Sequence, residues 1–314
     1  MDTLYIVVPC YNEQECLQTS TTLLKEKLIN LISKGKISKE SKIVLVNDGS
    51  KDHTWEIISK LNQEDKMFIG IKLSHNKGHQ NALMAGLTYA SEKSDMCISI
   101  DADLQDDINA IDKMIDEYYL KNEIVYGVRN KRETDTAFKR NSAGLFYKLL
   151  KVMGIEIIDN HADFRLMSQK ALKAILSYHE KNLFLRGIIP QLGFKNSIVY
   201  YERKERTAGE SKYPLKKMIA LAVDGITSFS LKPLRLLFFM GIIISGIAIL
   251  LMLIFAFLFI FKILHHAYLF YILLSIWLVC GILMSCIGIV GEYVGKSYME
   301  VKNRPRFIIE EILE

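Results

Sequence analysis

The chain has 314 residues, of which 50% are hydrophobic and 24% are charged, and its mean hydropathy is +0.15. This length fits one large domain with an additional segment, and the composition excludes both a disordered chain and a uniformly apolar one. The net charge of +5 is small for a nucleic-acid-binding protein, and five scattered cysteines without a C-x-x-C pair support neither a zinc site nor a disulfide framework. We therefore expect no nucleic-acid partner.

The first 200 residues alternate between short apolar strands and helices. In chain order, the predicted segments are LYIVVP, CLQTSTTLLKEKLINLIS, KIVLVND, TWEIISKLNQ, MFIGIKLS, GHQNALMAGLTYASEK, MCISID, INAIDKMIDEYYLK and EIVYGVR. This alternation is typical of a doubly wound α/β fold with a parallel sheet. Ligands of such sheets bind beyond the carboxyl ends of the strands, so we expect functional residues there.

Polar side chains follow three of the predicted strands. They are Tyr11, Asn12 and Glu13 after the first strand, Asn47, Asp48 and Ser50 after the second, and Asp101, Asp103 and Gln105 after the fourth. Mg²⁺ and Mn²⁺ prefer oxygen ligands and commonly bind one or two carboxylates together with substrate phosphates. Asp101 and Asp103 therefore predict a divalent-metal site. The alternative is that these acidic residues only cap the following helix.

Several common catalytic motifs are missing from the sequence. It has no Walker A pattern, no G-x-G-x-x-G after the first strand, no G-x-S-x-G and no H-E-x-x-H, which argues against ATPase, dinucleotide, serine-hydrolase and zinc-protease chemistry. Four histidines lie near predicted loops or strand ends, and we interpret each as a structural hydrogen-bonding residue rather than a base. They are His53, His75, His79 and His161.

Two long apolar runs follow residue 235. Neither Leu236 to Phe261 nor Ala267 to Val290 contains a charged residue. At about 1.5 Å per residue the first run extends about 39 Å, enough to cross a hydrocarbon core of about 30 Å. Lysines and arginines precede the first run and follow the second, so the positive-inside rule places both flanks in the cytoplasm. We predict a transmembrane helical hairpin, with a pair of buried core helices as the alternative.

The predicted domain organisation follows from these patterns. It comprises a cytosolic α/β domain at 1–213, amphipathic juxtamembrane helices at 214–235, two transmembrane helices at 236–291 and a cytosolic tail at 292–314. An ordinary helix at the domain edge is the alternative for 214–235. Small residues in the first run favour helix packing in a homo-oligomer, and simple lipid-facing variation is the alternative. These small residues are Gly241, Ser245 and Gly246.

Seven motifs in order resemble one enzyme family. They are VVPCYNEQE, VNDGSKDHT, NKGHQNALMAG, DADLQDD, ADFRLMS, FLRGIIPQLGF and ERTAGESKYPL. The chain resembles the family 2 glycosyltransferases that load sugars onto polyprenyl phosphates, such as bactoprenol glucosyltransferases and dolichol-phosphate mannose synthases. The resemblance covers nearly the whole chain and implies a GT-A fold, a Rossmann-like α/β domain with a mostly parallel sheet, followed by the two-helix transmembrane hairpin of the bacterial subgroup.

The resemblance also implies roles for matched residues on the donor side. The nucleotide pocket would be lined by Pro9, Tyr11, Asn12 and Glu13, with Asp48 near the base or ribose. Asp101 and Asp103 match the motif that binds Mg²⁺ or Mn²⁺ with the diphosphate, and Gln105 lies close by. The sequence departs from the family pattern at Asn47, where many relatives carry an acidic residue, and at Asp107, where proline is frequent.

On the acceptor side, the DFR motif supplies Asp163 and Arg165. The resemblance implies that Asp163 is a base or an orienting carboxylate, and the predicted catalytic residues are Asp163, Asp103 and Arg165. Positions near the donor or acceptor phosphates are matched by Arg186, Arg206, Ser211 and Lys212. Because a phosphate acceptor is already anionic, it can attack a sugar without a strong base, and both roles of Asp163 stay open.

The implied activity is transfer of a hexose, with glucose from UDP-glucose first, to undecaprenyl phosphate on the cytoplasmic membrane face, with inversion at the anomeric carbon. Mannose or GlcNAc transfer by the same type of enzyme is an alternative. A processive polysaccharide synthase is a second, although the Q-x-x-R-W motif and additional spans are missing from the sequence. A membrane-tethered nucleotide-sugar-binding protein is a third. A flippase or channel would need polar residues inside the spans.

Overall fold

The computed structural model describes residues 1–130, 161–178, 180, 185–202 and 268–314, together with scattered positions between 234 and 257. The nine predicted segments are confirmed in type, with ends that agree to about two residues. They are β1 (Leu4–Cys10), α1 (Leu17–Ser33), β2 (Lys42–Asn47), α2 (Thr54–Glu64), β3 (Phe68–Leu73), α3 (His79–Lys93), β4 (Met96–Ser99), α4 (Ala110–Tyr119) and β5 (Ile124–Arg129).

Six further elements follow among the residues that the structure describes. They are β6 (His161–Ser168), α5 (Gln169–Leu176), α6 (Leu185–Gln191), β7 (Asn196–Tyr201), α7 (Tyr268–Val301) and β8 (Ile309–Leu313). The described strands form one sheet in the order β7-β5-β6-β4-β1-β2-β3-β8. Strands β4, β1, β2 and β3 run parallel, as do β5 and β7, which confirms an α/β fold with a mostly parallel sheet. Strand β6 is antiparallel to both β4 and β5, so the ADFRLMS motif lies inside the sheet.

Helices cover both faces of the central strands, which explains why these strands are apolar throughout. Every residue of β1 is buried. Leu4, Ile6 and Val8 belong to the same core cluster as Leu24 and Leu28 of α1. Strands that are buried on both faces read as continuous apolar runs rather than as alternating ones. Because the centre of the sheet is apolar and buried on both faces, the polar residues lie in the loops at the strand ends.

Close packing of α3 on the sheet depends on Gly86. An added Cβ there would lie 2.4 Å from Val7 Cγ1 and 2.9 Å from Val46 Cγ2, and both valines belong to buried strands. Alanine is normally the better helix residue by about 1 kcal/mol. At this position we expect the steric clash to outweigh the gain in helix propensity, because overpacking a core typically costs about 1–3 kcal/mol.

The Gly86→Ala variant is therefore expected to unfold at a lower temperature and a lower denaturant concentration than the wild type. Gly288 of α7 offers a control, because no described atom lies within 4 Å of a Cβ added there. Gly288→Ala should leave the melting of the α/β unit unchanged. Equal stability of Gly86→Ala and wild type in the same denaturation series would contradict the predicted clash.

The described residues divide into two compact units. One unit contains the sheet with helices α1 to α6 and includes Arg304–Glu314, and the other contains α7. Residues at the end of the chain thus return to the first unit, where β8 pairs antiparallel with β3. Lys72 Nζ lies 2.9 Å from Glu310 Oε1 across this pair. Part of the predicted tail, 292–314, is therefore an edge strand of the sheet.

The predicted hairpin remains a prediction. Within the ranges that the structure describes, no helix has the length and apolarity needed to cross a membrane. The amphipathic segment at 214–235 lies almost entirely outside the described residues, and so does much of the first predicted span.

Candidate active site

The loops that follow β1 and β2 are joined to each other by hydrogen bonds. The Asn12 amide N–H donates to Ser50 Oγ at 3.0 Å, and Asn12 Oδ1 accepts from the Lys51 amide at 2.9 Å. The Glu13 amide N–H donates to Thr54 Oγ1 at 2.9 Å. Asn12 has a φ of +53°, a left-handed conformation that asparagine tolerates better than most residues. Two of the predicted polar clusters are therefore brought together at one edge of the sheet.

Asp48 is buried and holds the loop that precedes α3. Its Oδ1 accepts from the Lys77 amide at 2.7 Å and its Oδ2 accepts from the Gly78 amide at 2.9 Å. Gly78 has a φ of +87°, which favours glycine at this turn. The sequence predicts Asp48 near the nucleotide base or ribose. In the structure both of its oxygens bind backbone amides, and this fixes the start of α3.

The predicted metal ligands lie in a turn directly after β4. The Leu104 amide donates to the Asp101 carbonyl at 3.2 Å, and the Gln105 amide donates to Asp103 Oδ1 at 3.4 Å. The pKa of Asp101 is raised to about 6, chiefly by desolvation. The nearby carboxylates Asp163, Asp106 and Asp103 also raise this pKa, whereas His79 lowers it. A carboxylate in such surroundings is stabilised by a cation.

These two carboxylates fit a divalent ion that also binds substrate. Among the described residues, no group of three His, Cys, Asp or Glu side chains could hold a metal by itself. Mg²⁺ commonly takes one or two protein carboxylates and completes its coordination with substrate phosphates and water. Asp101 and Asp103 match that donor set. The protein would therefore hold the ion firmly only together with a diphosphate.

Asp163 lies on β6 beside β4, where it is held by two arginines. Arg165 Nη2 contacts its Oδ1, Arg186 Nη2 lies 3.1 Å from its Oδ2, and Arg186 Nε lies 3.3 Å from its Oδ1. Arg165 is fully buried, whereas the Arg186 side chain is 36% exposed. The antiparallel insertion of β6 thus places the DFR motif next to the strand that leads into the metal-ligand turn.

The charges around Asp163 decide what it can do chemically. Burial raises the pKa of this carboxyl, but the positive charges of Arg186 and Arg165, together with His79, outweigh burial and hold the pKa well below its ordinary value. A carboxylate with a strongly lowered pKa is a weak base. The arrangement therefore favours an orienting, charge-balancing role for Asp163 over proton removal.

His79 connects the two halves of the site. Its Nε2 lies 3.6 Å from Asp101 Oδ1 and 3.7 Å from Asp163 Oδ2. The next residue, Gln80, accepts from the Leu185 amide at 3.3 Å, at the start of the helix that carries Arg186. From the sequence, His79 is interpreted as a structural residue. Its position between two site carboxylates could have been inferred only from the NKGHQ motif, which is part of the resemblance to the family.

Other predicted residues take different positions. Pro9 is buried at the end of β1, Tyr11 is 38% exposed, and Glu13 Oε2 accepts from the Cys16 thiol at 3.2 Å. Gln105 is buried behind Asp103 in the turn. The remaining predicted residues, Arg206, Ser211 and Lys212, lie outside the described residues. The described site thus combines the predicted metal pair with the Asp163 cluster.

Comparison with known proteins gives the family. The model of the family "Glycosyl transferase family 2" matches residues 5–176. The chain is 47% identical to an uncharacterized glycosyltransferase, YkoT, of Bacillus subtilis, over 98% of this chain and 91% of that protein. It is 37% identical to a prophage bactoprenol glucosyl transferase homolog of Escherichia coli over 98% of both chains.

A third relative is the SfII prophage-derived bactoprenol glucosyl transferase of Shigella flexneri. It is 38% identical over 98% of this chain and 97% of its own length. The matched region contains the metal-ligand turn, Asp163 and Arg165, and the relatives align over nearly their whole length. The chain belongs to glycosyl transferase family 2 and is a glycosyltransferase.

Proposed function

We propose that this glycosyltransferase moves one hexose from a nucleotide sugar to a polyprenyl phosphate, with UDP-glucose as donor and undecaprenyl phosphate as acceptor. The observation that carries the proposal is the placement of His79 within 3.7 Å of both Asp101 and Asp163, which puts the predicted metal pair and the arginine cluster in one site. Relatives named bactoprenol glucosyl transferase, aligned over nearly their whole length, support the acceptor class.

On the donor side, Asp101 and Asp103 would hold Mg²⁺ or Mn²⁺. When bound, the ion supplies a positive charge that neutralises the diphosphate leaving group as the bond to the sugar breaks. The adjoining loops after β1 and β2 would bind the nucleoside, since they lie at the same edge of the sheet.

On the acceptor side, Arg186 is partly exposed and Arg165 is buried, and both contact Asp163. The Arg186 guanidinium would bind the lipid phosphate, because charge-assisted bonds from arginine to phosphate are strong and directional. An anionic phosphate oxygen forms the new bond to the anomeric carbon while the bond to the diphosphate breaks and its electron pair leaves with the nucleoside diphosphate. Attack from the opposite face inverts the anomeric configuration, and no proton has to be removed.

The proposal includes attachment to the cell's inner membrane by the predicted hairpin, with the catalytic domain in the cytoplasm. Its support is the uncharged sequence of both apolar runs and the exposure of large apolar side chains along α7, such as Ile272, Ile276, Leu283 and Ile287. The hairpin would hold the enzyme at the bilayer that contains its lipid substrate. A homo-oligomer stays a prediction from the small residues of the first run.

We expect the purified full chain to transfer labelled glucose from UDP-glucose to a short polyprenyl phosphate in the presence of Mg²⁺. A panel of labelled UDP- and GDP-sugars, followed by organic extraction, measures which donor is used. EDTA should abolish the product. Transfer from another donor would replace glucose by that sugar, and a long polymer would favour the processive synthase. Nucleotide binding with no transfer from any donor would contradict the enzyme proposal and favour the tethered binding protein.

A further inference from the structure

A buried ion-pair cluster includes the last residue of the metal-binding loop, which we define as residues 101–106. Asp106 is 2% exposed, and its Oδ1 accepts from Arg129 Nε at 3.1 Å, from Arg129 Nη2 at 2.9 Å and from the Tyr201 hydroxyl at 2.7 Å. Arg129 is the last residue of β5 and Tyr201 is the last residue of β7. One carboxylate oxygen therefore ties the end of this loop to the ends of two strands.

The metal-binding loop contains a strained backbone. Leu104 has a φ of +42°, a left-handed conformation that costs a residue other than glycine about 1–2 kcal/mol. Such conformations persist only where the surrounding structure fixes them. Leu104 packs against the core, and the loop is held at its start by β4. Asp106 supplies the second fixed end.

Stability alone does not account for this cluster. Burying an ion pair commonly adds little, because desolvation offsets the attraction and apolar residues of similar size often stabilise a fold equally well. Burial acts to lower the pKa of Arg129, but Asp106 and Tyr201 raise it above its ordinary value, so the guanidinium stays charged. Arg129 therefore compensates the charge of Asp106, and the Asp106 carboxylate is bound to Arg129 and Tyr201 within the fold.

We propose that Asp106 is a positioning residue that, with Arg129 and Tyr201, holds the metal-binding loop in the shape that lets Asp101 and Asp103 bind a divalent ion together. This inference rests on the proposed function, because it assumes that the loop binds the ion used in sugar transfer. Without the cluster the left-handed turn relaxes, the two carboxylates separate, and affinity for the ion falls.

The test compares Mn²⁺ binding by the full-length Asp106→Asn variant and the wild type, by electron paramagnetic resonance with and without UDP. Loss of a group that orients metal ligands typically weakens metal affinity about 10–100-fold, and we expect a loss in that range. Asp107→Asn is the matched control, since it removes the same charge one residue away. Asp107 bonds only locally, accepting from the Asn109 amide at 3.1 Å and the Asn109 side chain at 3.0 Å. The Mn²⁺ affinity of the Asp107→Asn variant should stay within about twofold of that of the wild type.

Tyr201→Phe provides a second variant should Asp106→Asn fail to fold. It removes the hydrogen bond from the Tyr201 hydroxyl to Asp106. It keeps the ring, which packs edge-on against Phe164 with the two ring centroids 5.4 Å apart. We expect it to weaken Mn²⁺ binding several-fold with near-normal melting. Wild-type affinity in folded Asp106→Asn or in Tyr201→Phe would overturn the proposal, and so would an equal loss in Asp107→Asn or a wild type that binds no Mn²⁺ at the loop. Because Mn²⁺ binding needs neither sugar nor lipid, a failure of the transfer assay is a separate result.

Discussion

Replacing Asp163 with asparagine is expected to destabilise the fold by about 3–5 kcal/mol and to remove most of the transfer activity. Arg165 is fully buried, and among the described residues its Nε and Nη1 have no hydrogen-bond partner. The carboxylate of Asp163 is therefore the main compensation for a buried guanidinium charge. Without it, Arg165 keeps an uncompensated charge and Arg186 loses the carboxylate that holds its guanidinium group.

The double variant Asp163→Asn/Arg165→Met separates the two effects. Removing the buried charge together with its partner commonly restores stability. We expect melting temperatures in the order wild type, double variant, single variant, with both variants inactive in the transfer assay. Near-normal turnover and melting of Asp163→Asn would contradict the role assigned to Asp163. A stable but inactive double variant would show that the Asp163–Arg165 pair has a role beyond folding.

The pH dependence of the free energy of unfolding also tests the ion pairs between Asp163 and its arginines. Burial acts to raise the pKa of Asp163, and the neighbouring arginines lower it by more, so the folded pKa lies below the unfolded value of about 4. A group of this kind contributes its full stability above the unfolded pKa and loses it as pH falls through the folded pKa. We expect this contribution in the wild type to be constant from neutral pH down to about pH 5 and to decline below about pH 4. Asp163→Asn should lack that acidic decline.

The second large effect is expected at the metal pair. Asp103→Ala should lower transfer by at least about 10²–10³-fold, since it removes one of the two carboxylates proposed to hold the ion that would neutralise the leaving group. Among the described residues no third acidic or histidine side chain completes a metal cluster there. Raising the Mg²⁺ or Mn²⁺ concentration should recover little activity, because the geometry of the bound diphosphate is lost with the ligand.

Asp107→Ala is the matched control for this variant, as it removes a neighbouring carboxylate outside the metal-binding loop. It should keep most of the wild-type rate at saturating Mg²⁺. Initial rates of lipid-linked sugar formation, measured across a metal titration, compare the three proteins. Substantial Mg²⁺-dependent activity of folded Asp103→Ala would refute the assignment of this residue as a metal ligand.

Local pattern was enough to predict the first nine elements. The apolar runs of β1 to β4 and the periodicity of the helices between them are properties of neighbouring residues, and Asp101 and Asp103 follow directly from their place after β4. Strand order is not a local property. Nothing in the ADFRLMS segment indicates that it pairs antiparallel between β4 and β5, although this insertion brings Asp163 to the metal side.

Contacts between segments that are far apart in the sequence could not be predicted from local pattern either. Asp106 lies 23 residues from Arg129 and 95 residues from Tyr201 in sequence, so no motif contains the cluster. The assignment of Asp48 to the nucleotide stays a prediction from the resemblance, and the structure adds that its two oxygens accept from the backbone amides before α3. The sequence singles out Asp48 but not Asp106, and the partners of both residues became visible only when the sheet was assembled.

The pairing of β8 with β3 has a consequence for biosynthesis. Lys72 and Glu310, which meet across these strands, are 238 residues apart, so the ribosome completes β3 long before its neighbour exists. During that interval β3 presents an open edge, a surface prone to aggregation, and closing so long a loop is slow. Strand β8, which is translated long after β3, therefore covers this edge of the sheet. Chains that are interrupted within the apolar segments would leave the ribosome with this edge still uncovered, which makes them targets for chaperones and proteases.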